Sequence, residues 1–388
     1  MSWPLPNRDD PVGPSRDRAI YAHRVPAPFR SALDAVQPYV PGRPIEVVKR
    51  ELGIVGEVIK LASNEGPFPP VPAALEAIAQ AASESNRYPD GSCHQLRHAL
   101  AARHGVDPDQ IVVGNGADAV LDYLAQALYE PGDEVAYCWP SFPVYPINAT
   151  KMGAVCVAAP LAGSSYDLEA LSAVITPKTK AVYVTNPNNP TGGMVTRDAL
   201  LRFLEGLPST VLPVIDEAYF EFIDDPDYPD SSAWVREGRR LVAIRTFSKI
   251  YGMAGLRVGY GVMPADVAVA CGKVKGAFDV SQLAQVAALA SLDPSVAPEI
   301  ARRRAVVAEG RTQLVNGLRA QGLGPWPTVA NFVFVPVGDG VGVAQALERR
   351  GVIVRATAGF GDPTAIRITV GTPEENARFL STLAEIRG

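Results

Sequence analysis

Lys249 lies in a segment whose residue types could support amine chemistry. Residues 245–257 read RTFSKIYGMAGLR, which places small residues and hydroxyl groups around the amine. A deprotonated lysine can bond covalently to the aldehyde of a cofactor, and burial beside positive charge favours that form. The same chemistry needs the segments NPNNPTG at 186–192, DEAY at 216–219 and IRITVGT at 366–372. A lone lysine is usually a solvated surface residue, so the hypothesis depends on the four segments together.

Asp216 closes the apolar run 211–215 and is suited to hold a protonated ring nitrogen by ion pairing. A pyridine ring withdraws electrons from a substrate carbanion while its nitrogen is protonated, which is the chemistry of pyridoxal 5'-phosphate. Tyr219 and Asn189 could donate hydrogen bonds to the phenolic oxygen of this cofactor. The alternatives are a turn or helix-capping aspartate and a simple Asn-Pro-Thr-Gly turn.

The cofactor phosphate needs backbone amides at a helix N-terminus together with a cation. We assign this role to a glycine-rich turn and to residues that flank Lys249: Gly116, Ala117, Asp118, Thr246, Ser248 and Arg257. Phe142 could stack on the cofactor ring. Close packing can also explain a glycine-rich turn, Arg257 could form an ordinary ion pair, and Phe142 could belong to the core.

Two further patterns concern substrate and metal. Arg367, on a predicted strand near the C-terminus, could bind a substrate carboxylate through two parallel hydrogen bonds, the alternative being an exposed strand arginine. His94 and His98 are four residues apart on a predicted helix, but residues 94–98 lack the glutamate of a zinc-protease motif. A solvated basic helix face is favoured there, and no metal site is predicted.

The composition indicates a packed protein that acts on small molecules. The chain has 388 residues, of which 47% are hydrophobic and 20% charged, close to the average for globular proteins. A net charge of -5 offers no basic surplus for nucleic acid or anionic lipid. No uncharged apolar run approaches the ~20 residues of a membrane span, and residues 1–14 lack the apolar core of a signal peptide. The four cysteines form no C-x-x-C pair, so we expect a cytoplasmic protein.

The chain alternates short apolar strands with amphipathic helices, which predicts an α/β fold with a largely parallel sheet. The expected helices of the large domain span 71–83, 93–104 and 117–129. Its expected strands span 110–113, 134–137, 181–184, 211–215, 241–244 and 258–262. Asn189, Asp216 and Lys249 each follow a strand, and ligand sites in such sheets gather at the carboxyl ends of strands.

The length predicts two domains, because a single core stops growing at roughly 250–300 residues. Residues 63–284 form the expected large cofactor-binding domain, residues 31–62 and 285–388 a smaller α+β domain, and residues 1–30 an N-terminal arm. After residue 281 a long helical stretch is expected to reach about residue 319. Strands at 331–335, 352–355 and 365–368 and helices at 343–350 and 373–386 would complete the small domain.

The ordered segments resemble the fold type I, class I/II aminotransferases, in particular the branch of histidinol-phosphate and aromatic aminotransferases. The resemblance covers roughly residue 36 to the C-terminus. It includes YVPGRPI at 39–45, LASNE at 61–65 and RYPD at 87–90 in addition to the four segments named above.

The resemblance implies a fold, an activity and further site residues. It implies a homodimeric pyridoxal phosphate enzyme of amino-acid biosynthesis that transfers amino groups by ping-pong chemistry to a 2-oxo acid such as 2-oxoglutarate. Tyr88 would reach the cofactor phosphate in the neighbouring subunit. Arg367 would anchor the substrate carboxylate and Arg355 would lie near the side chain or phosphate of the substrate. Asn64 and Phe278 would also contact the substrate.

Two positions depart from the pattern of this branch. Gly66 stands where the branch usually has asparagine, and Asp279 stands where a neutral residue is usual. An extra carboxylate near the substrate would repel a phosphorylated side chain and favour a neutral or cationic one. The alternatives are therefore an aminotransferase with a non-phosphorylated substrate, and a decarboxylase or lyase on the same fold. A cofactor-sensing regulator is disfavoured because residues 1–60 show no convincing DNA-binding module.

Overall fold

The computed structural model describes residues 29–388, so the N-terminal arm predicted for residues 1–30 lies almost wholly outside the described residues. The strands of the described chain form a seven-stranded sheet, a four-stranded sheet and a two-stranded ribbon. In chain order they are β1 Ile59–Leu61, β2 Ile111–Gly114, β3 Glu134–Cys138, β4 Val155–Ala159, β5 Leu161–Ala162, β6 Ser165–Tyr166, β7 Thr179–Thr185, β8 Leu212–Asp216, β9 Val242–Thr246, β10 Gly259–Val262, β11 Phe332–Pro336, β12 Val352–Ala356 and β13 Ala365–Thr369.

Helices cover both sheets. In chain order they are α1 Ile45–Leu52, α2 Pro72–Ala81, α3 His94–His104, α4 Ala117–Leu128, α5 Val144–Met152, α6 Leu168–Ala173, α7 Arg197–Glu205, α8 Ser231–Arg236, α9 Ala265–Val274, α10 Gln282–Ser291, α11 Ala297–Ala320, α12 Gly340–Glu348 and α13 Pro373–Arg387. Short 3-10 turns lie between them, including Ala254–Leu256 and Ala358–Phe360.

The seven-stranded sheet has the order β2-β10-β9-β8-β7-β3-β4. Strand β10 is antiparallel to β2 and β9, whereas the other paired strands run parallel. Every residue of β8 and β9 is buried, as expected for strands with helices on both faces. The α/β fold with a largely parallel sheet is therefore confirmed.

The four-stranded sheet has the order β1-β12-β13-β11. Strand β1 pairs in parallel with β12, and β13 is antiparallel to β12 and β11. A strand from residues 59–61 thus joins strands that follow residue 330. The predicted domain boundaries at 62/63 and 284/285 are compatible with this sheet and stay a prediction.

The helical stretch predicted for residues 281–319 is divided, and the prediction of one stretch was wrong at this point. Helix α10 ends at Ser291 and α11 begins at Ala297. Asp293 and Pro294 lie between them, and the Asp293 carboxylate accepts the backbone N–H of Ser295 at 2.8 Å. Proline lacks the backbone donor that would continue α10, so the chain begins a new helix.

The described residues were also compared with the expectations for membrane spans, metal sites and cysteines. No helix between residues 29 and 388 combines the length and the apolar character needed to cross a membrane. No group of three or more His, Cys, Asp or Glu side chains in this part of the chain could hold a metal ion. Cys93, Cys138, Cys156 and Cys271 are free thiols.

Candidate active site

The carboxyl ends of three neighbouring strands bring the predicted site together. Strands β7, β8 and β9 lie side by side, and the segments 186–192, 216–219 and 246–249 follow them directly. The backbone N–H of Asn186 donates to the carbonyl of Asp216 at 2.9 Å, and that of Glu217 donates to the carbonyl of Ile244 at 2.9 Å. These bonds extend the sheet past the strand ends and hold the three segments together.

Lys249 is half-buried in the turn after β9 and points toward the second sheet. Its Nζ donates to the carbonyl of Ser63 at 3.2 Å and lies 5.8 Å from the centroid of the Tyr219 ring. Burial, together with the positive charge of Arg367, lowers the pKa of Lys249 to about 8. The amine is thus closer to its reactive neutral form at neutral pH than a solvated lysine.

Asp216 is buried at the end of β8, with only 4% of its surface exposed. The hydroxyl of Tyr145 donates to its Oδ2 at 2.7 Å, and the N–H of Ala218 donates to its Oδ1 at 3.1 Å. Burial raises the pKa of Asp216 to about 6, although both hydrogen bonds oppose the rise. Such a carboxylate would be stabilised by a cation placed against it.

A chain of buried hydroxyl groups supports Asp216, and sequence reasoning missed it. The hydroxyl of Tyr145 lies 2.8 Å from that of Thr185, and Thr185 lies 3.3 Å from Ser141 and 3.2 Å from Tyr166. Because the Tyr145 hydroxyl donates to the carboxylate, it must accept from Thr185. Tyr145 lies in the first turn of α5, and no pattern in the sequence indicated its contact with Asp216.

Tyr219 is held by residues from both sheets. Asn64 donates to its hydroxyl at 2.8 Å, and the Asn64 backbone N–H donates to Thr369 Oγ1 at 2.9 Å. Asn331 donates to the Asn64 carbonyl at 3.1 Å. Burial raises the pKa of Tyr219 to about 12, so its hydroxyl keeps a proton to donate. The structure thus places Asn64 beside Tyr219. Thr369 belongs to the predicted segment 366–372 but had no role assigned, and Asn331 is a site residue that the sequence did not indicate.

Arg367 is buried on β13, with 3% of its surface exposed. Its Nη1 donates to the Oδ1 of Asn189, its Nη2 donates to the carbonyl of Ala62 at 2.7 Å, and its Nε is buried without a partner. Burial lowers its pKa to about 10, with Arg355 adding to the fall. The alternative of an exposed strand arginine is excluded, because Arg367 is buried. Since Asn189 accepts through its oxygen, its amide nitrogen is left to donate.

Arg355 stands directly opposite Arg367 in the antiparallel pairing of β12 and β13. Its Nη2 donates to the carbonyl of Val40 at 2.6 Å, and its Cζ lies 5.4 Å from the centroid of the Tyr39 ring. Within residues 29–388, neither arginine has an aspartate or glutamate within salt-bridge distance. Two neighbouring cations without a counter-ion form a site for an anionic ligand.

The turn before helix α4 contains the residues that the sequence predicts to bind the cofactor phosphate. Gly116 has φ 81° and ψ 166°, a backbone conformation open essentially to glycine alone, and a Cβ there would overlap the guanidinium of Arg257. Arg257 also lies 3.4 Å from the Asp118 carboxylate. Ser248 contacts Thr246, whose hydroxyl accepts the Ser248 N–H at 3.1 Å. Ala117 begins the helix, so the structure brings amides, hydroxyls and a guanidinium to one place.

Phe142 lies in the same region. Its ring centroid is 5.7 Å from that of Tyr145 and 6.3 Å from that of Tyr39, both in edge-on orientation. It is only partly buried, so a core role does not account for it fully. One ring face remains a candidate surface for stacking.

Tyr88 and Phe278 are placed apart from the residues around Lys249. Their rings stack on each other with centroids 4.7 Å apart, and 82% of Tyr88 and 51% of Phe278 is exposed. Within the described residues this pair makes no recorded contact with Lys249, Asp216 or Arg367. Their assignment to the cofactor and substrate stays a prediction that requires a second subunit.

The structure pairs the Asp279 carboxylate with a cation, which weakens the repulsion expected from an extra carboxylate near the substrate. The Asp279 carboxylate accepts from the amine of Lys275 and from the hydroxyl of Tyr123. Burial raises its pKa to about 6, and the lysine neutralises its charge when it is ionised. Gly66, the other departure, packs beside the site, because a Cβ there would lie 3.5 Å from the carbonyl oxygen of Lys249.

His94 and His98 share a face of α3, with ring centroids 4.1 Å apart. No third metal-binding side chain joins them among the residues that the structure describes. The pair is a local contact of a helix surface.

The fold and the site define an aminotransferase. Residues 56–383 match the family model described as aminotransferase class I and II, and the chain belongs to this family. It is a transaminase with the fold type I architecture, as the resemblance predicted.

Several proteins similar to this chain are named histidinol-phosphate aminotransferase. The chain is 45% identical to the histidinol-phosphate aminotransferase of Moorella thermoacetica, over 92% of each chain. It is 43% identical to histidinol-phosphate aminotransferase 2 of Pseudomonas aeruginosa, over 91% of this chain and 96% of that one. Histidinol-phosphate aminotransferase from Sinorhizobium meliloti, solved in complex with pyridoxal-5'-phosphate, is 29% identical with a TM-score of 0.83, over 93% of this chain and 98% of that one.

Proposed function

We propose that this transaminase is a homodimer that uses pyridoxal 5'-phosphate to move an amino group between a phosphorylated amino alcohol of the histidinol phosphate type and a 2-oxo acid such as 2-oxoglutarate. One observation carries the proposal. The Arg355–Arg367 pair lacks an acidic partner in the described chain, and Arg367 is close enough to Lys249 to lower its pKa. An amine and a pair of guanidinium groups without acidic partners therefore lie near each other.

The residues present fit the cofactor. Asp216 would pair with its ring nitrogen, since this buried carboxylate has two hydrogen-bond donors and no cation within salt-bridge distance in residues 29–388. Ser248, Arg257 and the amides that follow Gly116 would hold the phosphate. Asn189 and Tyr219 have donors left for the phenolic oxygen. When bound, the cofactor supplies an electron-withdrawing ring that stabilises negative charge at the substrate carbon.

The protein's own groups would handle the proton. The Nζ of Lys249, once free, would accept a proton from the substrate carbon and donate that proton in the following step of the amino transfer. A pKa near neutrality suits a group that must both accept and donate. Tyr219 keeps its proton and serves as a fixed donor, because burial raises its pKa and Asn64 already donates to its oxygen. Arg367 fixes the orientation of an anionic substrate group through its guanidinium edge.

The charges of the pocket support a phosphorylated donor. A phosphate carries up to two negative charges and matches two unpaired guanidinium groups. Asp279 is not expected to repel a phosphorylated substrate, because Lys275 neutralises its carboxylate. Relatives named histidinol-phosphate aminotransferase are 43–45% identical over nine-tenths of the chain, which supports the same assignment. An aromatic amino acid is the second candidate donor. It would be the substrate if the enzyme acts on a non-phosphorylated donor.

A decarboxylase or lyase on the same fold is not favoured by these relatives. It would retain the residues that hold the cofactor and differ in which substrate bond is cleaved. Release of carbon dioxide from an amino acid would support that alternative.

The direct test is a panel of amino donors, namely histidinol phosphate, phenylalanine and tyrosine, with 2-oxoglutarate as acceptor. We expect the highest kcat/KM with histidinol phosphate. Lys249→Ala should lose the visible absorbance of the bound cofactor and all turnover, whereas Lys151→Ala, the loss of another partly buried lysine that pairs with Asp122, should keep both. Full transaminase activity in Lys249→Ala would contradict the assignment.

A further inference from the structure

Phe360 lies between the two arginines of the proposed anion site. Its ring centroid is 5.1 Å from the Cζ of Arg355 and 5.2 Å from the Cζ of Arg367, and only 1% of the residue is exposed. Both distances are within the ~6 Å at which an aromatic face attracts a cation. A single ring is therefore shared by both guanidinium groups.

Each arginine has a second aromatic neighbour of its own. The Tyr39 ring lies 5.4 Å from the Cζ of Arg355, and the Phe332 ring lies 5.3 Å from the Cζ of Arg367. In the described chain these rings, and no carboxylate, lie next to the two guanidinium groups. An aromatic face attracts the cation without accepting its N–H groups in an ion pair, so donors stay available for a ligand.

The turn that carries Phe360 is fixed on two sides. It spans Ala358–Phe360 and connects β12 to β13, the strands of the two arginines. The hydroxyl of Thr357 bonds to the carbonyls of Asp362 and Ala365 at 2.7 and 2.8 Å. Gly361 has φ 103° and lies so close to Trp139 that a Cβ would overlap the indole nitrogen. The ring thus has a defined place relative to both arginines.

We propose that Phe360 is a positioning residue that determines specificity for substrates with two negative charges. Its ring holds the guanidinium groups of Arg355 and Arg367 at a fixed spacing, so that both act on one dicarboxylate or one phosphate. A substrate with a single carboxylate engages Arg367, which keeps its contact with Phe332. The inference rests on the proposed function for the identity of the substrates, and on the geometry of the chain for the role of the ring.

The test compares Phe360→Leu with the parent holoenzyme. We expect the KM values for histidinol phosphate and 2-oxoglutarate to rise about 10-fold, which corresponds to ~1.4 kcal/mol, while kcat changes by less than about 2-fold. The KM for phenylalanine should rise by less than about 3-fold. Calorimetry with succinate, an unreactive dicarboxylate, should show the same roughly 10-fold loss of affinity, whereas acetate binding should not change.

Two further variants separate the ring face from simple loss of volume. Phe360→Tyr keeps the aromatic face and should bind succinate like the parent. Phe379→Leu removes the same volume from α13, where the fully buried ring has no recorded arginine contact, and should leave the ratio of succinate to acetate affinity unchanged. If Phe360→Leu does not fold, Phe360→Met carries the same expectation.

Equal losses for one-charge and two-charge ligands in Phe360→Leu would overturn the inference, and so would an effect no larger than that of Phe379→Leu. Failure of the proposed function would look different. The parent would then turn over none of the donors, while the succinate comparison would still report on the arginine pair.

Discussion

Two side chains in the site have pKa values moved toward neutrality by the same cause. Burial lowers the pKa of Lys249 to about 8 and raises that of Asp216 to about 6, because each loses the water that stabilises its charged form. The proposed chemistry needs different charge states of the two residues. Lys249 benefits from the neutral form, whereas Asp216 must be ionised to pair with a ring nitrogen. The hydrogen bond from Tyr145 lowers the pKa of Asp216 and so favours its ionised form.

Tyr145→Phe tests this contribution through the pH dependence of kcat. Removing the donor takes away an interaction that lowers the pKa of Asp216, so the pKa rises and the carboxylate is protonated at higher pH. The acidic limb of the kcat profile should therefore move up by about one pH unit, since a hydrogen bond to a charged group contributes ~1.5–3 kcal/mol. Asp118 and Lys249 are the other charged groups that act on Asp216, and both remain in the variant.

Tyr129→Phe is the matched control. Its hydroxyl is equally buried but bonds to Tyr183 at 3.3 Å and not to Asp216. An acidic limb that does not move in Tyr145→Phe, or that moves as far in Tyr129→Phe, would refute the role of Tyr145.

At the scale of elements, the ends of β8 and β9 are joined behind the site by a buried ion pair. Arg245 donates to the Glu217 carboxylate at 3.0 and 3.1 Å and to Asp230 at 2.7 Å, and its Cζ lies 3.4 Å from the centroid of the Phe220 ring. Glu217 directly follows Asp216, and Arg245 precedes Lys249 by four residues. The pair therefore fixes the separation of the two strand ends from which the reactive groups extend.

The proposed role of the turn before α4 can be tested at this scale. In Gly116→Ala, the backbone conformation at position 116 costs a residue with a Cβ about 1–3 kcal/mol. The new Cβ would also displace the guanidinium of Arg257. We expect a loss of this size in the free energy of unfolding, measured with urea, and a Kd for pyridoxal phosphate at least about 10-fold higher.

Gly255→Ala provides the comparison, because position 255 lies two residues from Arg257, has an ordinary φ and has open space around it. This variant should bind the cofactor as the parent does. Equal cofactor affinity in both variants would show that the turn does not form the phosphate site.

At the scale of the whole molecule, the single chain leaves two predicted site residues on its surface. Tyr88 and Phe278 stack on each other in exposed positions, although the resemblance assigns both to a site. A monomer gains little from exposing two aromatic rings, and a second copy would cover them. The proposed homodimer accounts for this exposure.

Subunit mixing tests whether the site is shared. Lys249→Ala and Tyr88→Ala should each be strongly impaired, because each homodimer lacks one component in both of its sites. Unfolded together and refolded, they should form mixed dimers in which one site has Lys249 from one subunit and Tyr88 from the other. About a quarter of the wild-type activity should return, since half of the dimers are mixed and one site in each is complete. Activity no higher than the mean of the two parents would contradict a shared site.

Much of the site could be predicted from local patterns. Lys249, Asp216 and Asn189 follow strands whose apolar runs are visible in the sequence, and parallel strands present their carboxyl ends at one edge. The departures at Gly66 and Asp279 could also be recognised. The neutralising partner of Asp279, Lys275, is only four residues away, so the sequence could have indicated that pair. The hydrogen bond from Tyr123, 156 residues away, could not be predicted.

The sequence alone therefore determined the class of chemistry and the order of strands and helices that presents it, and it predicted the residues next to the proposed cofactor site. The tertiary structure decided which groups surround them: Tyr145 on Asp216, Asn64 on Tyr219 and Phe360 between Arg355 and Arg367. The first set follows from periodicity and chemistry within short segments. The second depends on contacts between residues that are far apart in the chain, such as the 305 positions that separate Asn64 from Thr369, and no local pattern encodes those contacts.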